Sequence, residues 1–110
     1  MKRVEKAWGY EIWWADVPGK YLGKILHINA GHRFSLQYHE KKDETMYILR
    51  GAAEVTISGI TILKYEGDCI HIPHQTLHRI KAVETLDIVE VSTYFPTDVV
   101  RLADDYGRIK

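Results

Sequence analysis

The sequence predicts an all-β fold, a jelly-roll-type β-barrel, and three observations support this. Short apolar runs recur along the 110 residues, and each ends at a turn signal, as in antiparallel β domains. Nine such runs in so small a chain must close up or stack, because an open sheet would leave its edges exposed. A jelly-roll barrel meets both needs. No linker or low-complexity segment interrupts the chain, so we expect one domain, residues 1–110.

The predicted strands are rich in β-branched and aromatic residues and alternate with turns. They are Tyr10–Ala15, Tyr21–Ile28, Phe34–His39, Thr45–Leu49, Ala53–Ile57, Ile60–Leu63, Cys69–Ile72, His78–Lys81 and Leu86–Val91. The turns are Pro18-Gly19, Ala30-Gly31, Ser58-Gly59, Glu66-Gly67 and Pro73-His74. Proline and glycine favour the backbone angles of turns, and Ser58-Gly59 predicts a tight hairpin.

The segment after the last strand has a different pattern. Its apolar residues are Val99, Val100, Leu102, Ala103 and Tyr106. That spacing predicts one short C-terminal helix over residues 97–106. Thr97 would cap its start, and Gly107 would follow its end.

The composition excludes several classes of partner. Lys and Arg together number 15, as do Asp and Glu, so the formal net charge is zero. A chain with no net charge is not attracted electrostatically to nucleic acid or to an anionic membrane, so we expect it to bind neither. Cys69 is the only cysteine, which excludes an intrachain disulfide and fits a reducing compartment. No secretory signal or membrane span is apparent, so we expect a cytoplasmic protein.

Four polar side chains occur where neighbouring strands can bring them together. Side chains at i and i+2 of a strand share a face, so Gln37 and His39 point the same way. Glu44 and His78 stand at the starts of later strands. Histidine supplies nitrogen and the other two types supply oxygen, so the four can be inward-facing ligands of one divalent metal ion. Taken singly, each could instead be an ordinary core histidine or a paired buried polar group.

The spacing of these residues resembles the cupin signature. The first cupin motif is G-x5-H-x-H-x3,4-E-x6-G, and its positions are occupied here by Gly31, Gln37, His39, Glu44 and Gly51. The second motif is G-x5-P-x4-H-x3-N, and its positions are occupied by Gly67, Pro73, His78 and Ala82. The departure among the ligands is Gln37, which replaces the first histidine. The resemblance implies a single-domain cupin.

More narrowly, the chain resembles the type II mannose-6-phosphate isomerases, which occur alone or as the C-terminal domain of mannose-1-phosphate guanylyltransferases. Their opening V-E-K/R-P-W-G, their S-L-Q-x-H and their closing D-x-V-R-x-x-D-x-Y-G-R are similar to the runs Val4–Gly9, Ser35–His39 and Asp98–Arg108. The resemblance implies a metal-dependent isomerase that interconverts mannose 6-phosphate and fructose 6-phosphate through an enediolate. No nucleotidyltransferase domain is apparent, so we expect no guanylyl transfer by this chain alone.

This chemistry needs a metal ion and a group that moves a proton. The nitrogen- and oxygen-rich ligand set favours Zn²⁺, with Fe²⁺, Mn²⁺, Ni²⁺ or Co²⁺ as alternatives. Glu90 shares the parity of Ile88 on its strand, and Lys42 lies in the loop beside the ligands, so these two are the candidate catalytic residues. Their alternatives are a salt bridge at a strand end for Glu90 and a solvated charge for Lys42.

A sugar phosphate also needs a cationic residue. Arg101 matches the closing run and is the first candidate, with Arg79 and Lys24 behind it; the alternative for Arg101 is an exposed charge on the predicted helix. An exposed aromatic first strand would favour a homodimer. The resemblance also implies one, because members of the family often dimerise. The aromatic residues of that strand are Tyr10, Trp13 and Trp14.

Two other functions stay open, because a fold does not choose a function. One is a cupin enzyme that acts on a different sugar or by oxygenation, although an oxygenase usually has more histidine ligands than a set containing Gln37. The other is a non-enzymatic cupin that binds metal or sugar. Lys41-Lys42, where the family often has His-Arg, keeps this last alternative open.

Overall fold

Eleven strands make up the computed structural model, which describes residues 1–107. They are β1 (Lys2–Lys6), β2 (Gly9–Val17), β3 (Tyr21–Ile28), β4 (Leu36–Tyr38), β5 (Glu44–Arg50), β6 (Ala52–Ile57), β7 (Ile60–Tyr65), β8 (Cys69–Ile72), β9 (His78–Ala82), β10 (Leu86–Thr93) and β11 (Val100–Ala103). Each of the nine predicted strands is present, so the all-β prediction is confirmed. Within the described range no helix is long and apolar enough to cross a membrane. Arg108 of the closing run lies outside the described residues.

The strands form two antiparallel sheets that pack face to face, as in a jelly roll. One sheet has the order β1-β2-β3-β10-β5-β8, and the other has the order β11-β4-β9-β6-β7. Both sheets contribute aliphatic side chains to a common core. Its least exposed large members include Ile28, Ile48, Val55, Ile72, Ile80, Leu86 and Ile88.

The predicted C-terminal helix is wrong. The segment instead forms β11, which pairs with β4 so that Arg101 stands opposite Gln37. Without this pairing β4 would have an open edge, and an edge strand gains hydrogen bonds that the local apolar spacing does not reveal. The Arg79 guanidinium also donates to the carbonyl oxygen of Ala103 at 3.0 Å. The consequence is that Arg101 lies beside a predicted metal ligand rather than on an exposed helix.

Strand β1 was not predicted, because its sequence Lys-Arg-Val-Glu-Lys has no apolar alternation. It is an edge strand that pairs with β2, and most of its side chains are exposed. Its Arg3 guanidinium lies over the ring of Tyr10, 3.9 Å from the centroid. Such cation–π contacts stabilise an edge whose side chains bury little apolar area.

Strand register sets the positions of the polar side chains inside the barrel. Glu44 of β5 stands opposite Ser92 of β10. Two residues further along β10, Glu90 stands opposite Lys24 of β3. Because inward-facing positions recur every second residue, these charges line successive levels of one sheet's inner face, about 7 Å apart.

Candidate metal centre

Three buried side chains meet between the two sheets. His39, Glu44 and His78 are 4%, 2% and 1% exposed, and their ligand atoms all lie within 4.8 Å of one another. Oε1 of Glu44 lies 3.6 Å from Nε2 of His39 and 3.4 Å from Nε2 of His78. These distances exceed those of charge-assisted hydrogen bonds, and the three atoms have no hydrogen-bond partner in residues 1–107. Unpaired buried polar atoms are costly, and a shared cation would satisfy all three.

Backbone carbonyls orient both imidazole rings toward Glu44. Nδ1–H of His39 donates to the carbonyl oxygen of Asp98 at 2.5 Å, and Nδ1–H of His78 donates to that of Thr76 at 2.8 Å. A carbonyl oxygen only accepts, so each ring carries its proton on Nδ1. Nε2 of each ring therefore faces the carboxylate, which is the orientation that a metal-binding histidine needs once this nitrogen is unprotonated.

Gln37, the fourth predicted ligand, adjoins this group. It stands opposite His78 in the β4–β9 pairing and lines the same cavity as His39 and Glu44. The hydroxyl of Ser35 donates to Oε1 of Gln37 at 2.6 Å. This contact fixes the amide and leaves a second lone pair on Oε1. The structure thus brings the four predicted ligands together, and their donor set fits a divalent metal ion.

A buried ammonium joins the candidate metal centre to a second carboxylate. Nζ of Lys42 lies 2.9 Å from Oε2 of Glu44 and 3.1 Å from Oε2 of Glu90. Lys42 is 6% exposed and Glu90 is 3% exposed. Lys42 is therefore not a solvated loop charge, and Glu90 is inside the barrel, as its parity with Ile88 predicted. Both predicted catalytic residues lie beside the predicted ligands.

The charges of this cluster act on one another. Burial raises the pKa of Glu44, but the two imidazoles and the Lys42 ammonium outweigh it and hold that pKa well below its usual value. Burial lowers the pKa of Lys42, but the charges of Glu90 and Glu44 more than reverse this, so its pKa is raised. Burial, and then the charge of Glu44, raise the pKa of Glu90 despite the opposing effect of Lys42 and Lys24. These shifts favour the charged form of Lys42 and the protonated form of Glu90, relative to an ordinary lysine and glutamate.

The cavity beside this cluster has a volume of about 110 Å³. Its apolar wall consists of Trp8, Leu26, Phe34, Met46, Phe95, Pro96 and Val99. Its polar lining beyond the metal cluster consists of Lys6, Glu11, Lys24, Asp98 and Arg101. The cavity thus combines one apolar wall with a larger set of convergent polar and charged groups, which suits a small polar ligand.

The three predicted phosphate-binding residues lie in different surroundings. Arg101 lines the cavity. Lys24 also lines it, with Nζ 3.4 Å from Oε1 of Glu11. Arg79 lies outside the lining, and its guanidinium donates to the carbonyl oxygens of Phe34 and Ala103 at 3.0 Å each. The structure therefore brings two of the three to the cavity.

The sequence interpretation missed Glu11 and Lys6 as members of this site. Glu11 is 8% exposed and shares the parity of Trp13, whose indole N–H donates to its Oε1 at 2.9 Å. A charged residue on the same face of a predicted strand as a tryptophan could have indicated that Glu11 faces the cavity. Lys6 belongs to β1, the strand whose sequence had no alternation to reveal it.

Comparison with known proteins gives a consistent family assignment. A family model described as "Mannose-6-phosphate isomerase C-terminal" matches residues 1–109. Mannose-1-phosphate guanylyltransferase of Escherichia coli strain K12 is 33% identical over an alignment of 114 positions, which covers 98% of this chain and 23% of that protein. The corresponding protein ManC of Salmonella typhimurium is 32% identical over the same shares of both chains. The chain thus spans about a quarter of the length of these relatives.

Solved structures confirm the fold. KdgF from Halomonas sp. has a TM-score of 0.71 and 26% identity, over 78% of this chain and 79% of that one. The cupin domain of Cnp3 from Schizosaccharomyces pombe has a TM-score of 0.74 and 15% identity, over 79% of this chain and 65% of that one. The predicted cupin fold is therefore confirmed.

Proposed function

Because the chain belongs to the mannose-6-phosphate isomerase C-terminal family, we propose that it is a metal-dependent sugar-phosphate isomerase that interconverts mannose 6-phosphate and fructose 6-phosphate. One observation carries the proposal. The ammonium of Lys42 bridges the buried carboxylates of Glu44 and Glu90 at the wall of a cavity, beside two histidines whose Nε2 atoms have no hydrogen-bond partner in residues 1–107. The cluster thus combines metal ligands, a fixed cation and a proton-exchanging acid.

Isomerisation moves a proton between adjacent carbons and develops negative charge on the sugar oxygens. His39, Glu44, His78 and Gln37 would hold a divalent ion, and we propose Zn²⁺. Such an ion supplies a Lewis acid for the developing charge. Lys42 adds a second fixed positive charge in the same buried region, where electrostatic stabilisation is strong because little solvent reorganises.

Glu90 is the proposed base. Its carboxylate would remove the proton from one carbon and return it to the neighbouring carbon. Burial raises the pKa of Glu90, and the charge of Glu44 adds to that effect, which brings the carboxyl group closer to the neutral range where a general base works best. Lys42 partly opposes this rise in the pKa of Glu90, and its ion pair with Oε2 fixes the orientation of the Glu90 carboxylate.

Arg101 is the proposed phosphate ligand, since guanidinium groups bind phosphate with two parallel hydrogen bonds. The other two candidates are less suited. Arg79 is not among the residues that line the cavity, and its guanidinium donates to the backbone carbonyls of Phe34 and Ala103. Lys24 lies against Glu11, whose negative charge would repel a phosphate.

Hydrogen exchange with solvent tests the function. Metal-loaded protein is incubated with mannose 6-phosphate in heavy water, and the sugar is followed by proton NMR. The proposal predicts fructose 6-phosphate as product and deuterium at the exchanging carbon. Absence of exchange with this and other aldose phosphates would favour a non-enzymatic binding protein.

We also propose a cytoplasmic homodimer, on the family resemblance and the partly exposed aromatic ring of Trp14, which is 43% exposed. Light scattering is expected to give a mass of twice 12.8 kDa. A mass of 12.8 kDa across the working concentration range would contradict it.

A further inference from the structure

Buried charges of alternating sign continue beyond the metal centre. From Glu44 the sequence of contacts runs through Lys42 to Glu90. Lys24 stands directly opposite Glu90 in the β3–β10 pairing and acts on it electrostatically. Nζ of Lys24 then lies 3.4 Å from Oε1 of Glu11. In this series of charged residues, the Glu11–Lys24 pair lies at the opposite end from the proposed metal ligands.

The surroundings of the pair fix its orientation. Trp13 donates its indole N–H to Oε1 of Glu11 at 2.9 Å, and Nζ of Lys24 lies 4.5 Å from the centroid of the Trp13 ring. Glu11 stands opposite Leu26, one inward-facing position beyond Lys24. The contacts from Trp13 and Lys24 to Glu11 both use Oε1. Both charged residues line the cavity.

Stability alone does not account for such a pair. The side chains of Lys24 and Glu11 are only 9% and 10% exposed, so both charges are largely desolvated. Desolvation offsets much of the attraction between buried partners, and apolar replacements of similar volume are often equally stable. The separation of 3.4 Å is also longer than a charge-assisted hydrogen bond, which is 2.7–2.9 Å in general. A loosely paired acceptor and donor at a cavity wall are better suited to binding a ligand.

We propose that Glu11 and Lys24 form a hydroxyl-binding subsite, which holds the non-reacting hydroxyl groups of a polyol ligand such as the sugar chain. Carboxylate oxygens accept and ammonium protons donate, so the pair offers both partners that a sugar hydroxyl needs. A phosphate would meet the carboxylates of Glu11 and Glu90 around a single ammonium. The subsite rests on the proposed function for its place in catalysis, but its ligand chemistry follows from the pair itself.

This assignment gives the cavity two ends, one for the reacting carbons and one for the other hydroxyl groups of the sugar. Glu90 and Lys42 face the reacting carbons of the sugar, beside the proposed metal ligands. Glu11 and Lys24 bind the hydroxyl groups on the other carbons of the sugar. Binding at a distance from the reacting atoms positions them and can raise the rate of the chemical step. A subsite built to pair with hydroxyl groups also discriminates against ligands that lack them, since its buried polar atoms are then left unpaired.

Binding of a polyol phosphate that cannot isomerise tests the subsite. Metal-loaded protein is titrated calorimetrically with mannitol 1-phosphate and, separately, with inorganic phosphate. We expect the wild-type protein to bind mannitol 1-phosphate at least about tenfold more tightly than phosphate. In Glu11→Gln and in Lys24→Met this preference is expected to fall below about threefold, with the affinity for inorganic phosphate unchanged.

Two further variants keep the test decisive. Glu5→Gln removes an exposed carboxylate that pairs with Arg3 on β1, and it is expected to behave as wild type. The double variant Glu11→Leu/Lys24→Met replaces the pair with apolar groups of similar size, so it is expected to fold and to lose the preference. A folded variant that keeps the wild-type preference would overturn the subsite, and so would a wild-type protein without one.

Failure of the proposed function gives a different result. If wild-type protein prefers mannitol 1-phosphate and Glu11→Gln does not, the subsite stands whether or not the protein exchanges hydrogen with heavy water. If exchange occurs but the preference is insensitive to Glu11 and Lys24, the isomerase stands and the subsite is wrong.

Discussion

His39 and Asp98 are joined by a hydrogen bond of 2.5 Å between Nδ1–H of the imidazole and the backbone carbonyl oxygen of the aspartate. The side chain of Asp98 also accepts hydrogen bonds from the backbone N–H groups of residues 40, 41 and 42, at 3.1, 2.7 and 3.0 Å. One residue therefore orients a proposed metal ligand and holds the loop that carries Lys42. The closing segment of the chain is thus part of the metal centre's support.

Removal of the Asp98 carboxylate tests this support. Asp98→Ala leaves three loop N–H groups without their acceptor and lets the loop and the His39 ring shift. Loss of a group that orients a ligand typically costs about 10–100-fold in metal affinity, and we expect a loss in that range. Competition with a chelator measures it. Asp98→Asn keeps one acceptor oxygen and should lose less, whereas equal affinities in all three proteins would contradict the role.

Glu90→Gln separates catalysis from metal binding. The amide fills the same space beside Lys42 but cannot take a proton, so the turnover number with mannose 6-phosphate is expected to fall about 10²–10⁴-fold. Metal content should stay at the wild-type value, because Glu90 is not among the proposed ligands. Glu54→Gln, on β6, is the matched control and should be fully active. Undiminished turnover in Glu90→Gln would assign the base elsewhere.

On the acidic side of the pH–rate profile, the fall in activity should reflect protonation of the Glu90 carboxylate. Burial and the charge of Glu44 raise the pKa of Glu90, and a base works only when ionised. Activity is therefore expected to fall, as the pH is lowered, at a higher pH than an ordinary glutamate would give. Lys42→Met removes a charge that lowers the pKa of Glu90, so it should move this fall to still higher pH in whatever activity remains. A fall that moves to lower pH would contradict this arrangement.

Gly9 is expected to be among the least replaceable residues of the fold. Its φ is +152°, and a Cβ atom there would lie 1.9 Å from the carbonyl oxygen of His27. Gly9→Ala must displace backbone, so we expect a loss of about 3 kcal/mol or more in the free energy of unfolding. Gly19 also has a positive φ, +77°, but nothing lies near its Cβ position. Gly19→Ala should therefore cost only about 1–2 kcal/mol, and denaturant unfolding compares the two variants. Equal losses would contradict the steric account.

Local alternation and turn residues predicted nine of the eleven described strands, and motif spacing predicted the proposed ligand set. The burial of Lys42 was not predictable in this way. It lies in a polar loop, and only the folded barrel brings the carboxylates of Glu44 and Glu90 to both sides of its ammonium.

The helix expected over residues 97–106 failed for a related reason. Its apolar spacing suits a helix locally, but pairing of β11 with the distant strand β4 supplies backbone hydrogen bonds that the local sequence does not reveal. Glu11 shares the parity of Trp13 on β2, but its partner Lys24 lies on the neighbouring strand, and the local sequence does not reveal that pair.

Metal dependence of hydrogen exchange shows whether a bound ion is needed for isomerisation. Wild-type protein is stripped with a chelator, divided, and assayed with mannose 6-phosphate in heavy water before and after addition of Zn²⁺. We predict deuterium at the exchanging carbon only after the ion is restored, and no recovery in His78→Ala, which lacks one ligand. Exchange that persists in the stripped protein, or recovers fully in His78→Ala, would contradict the account.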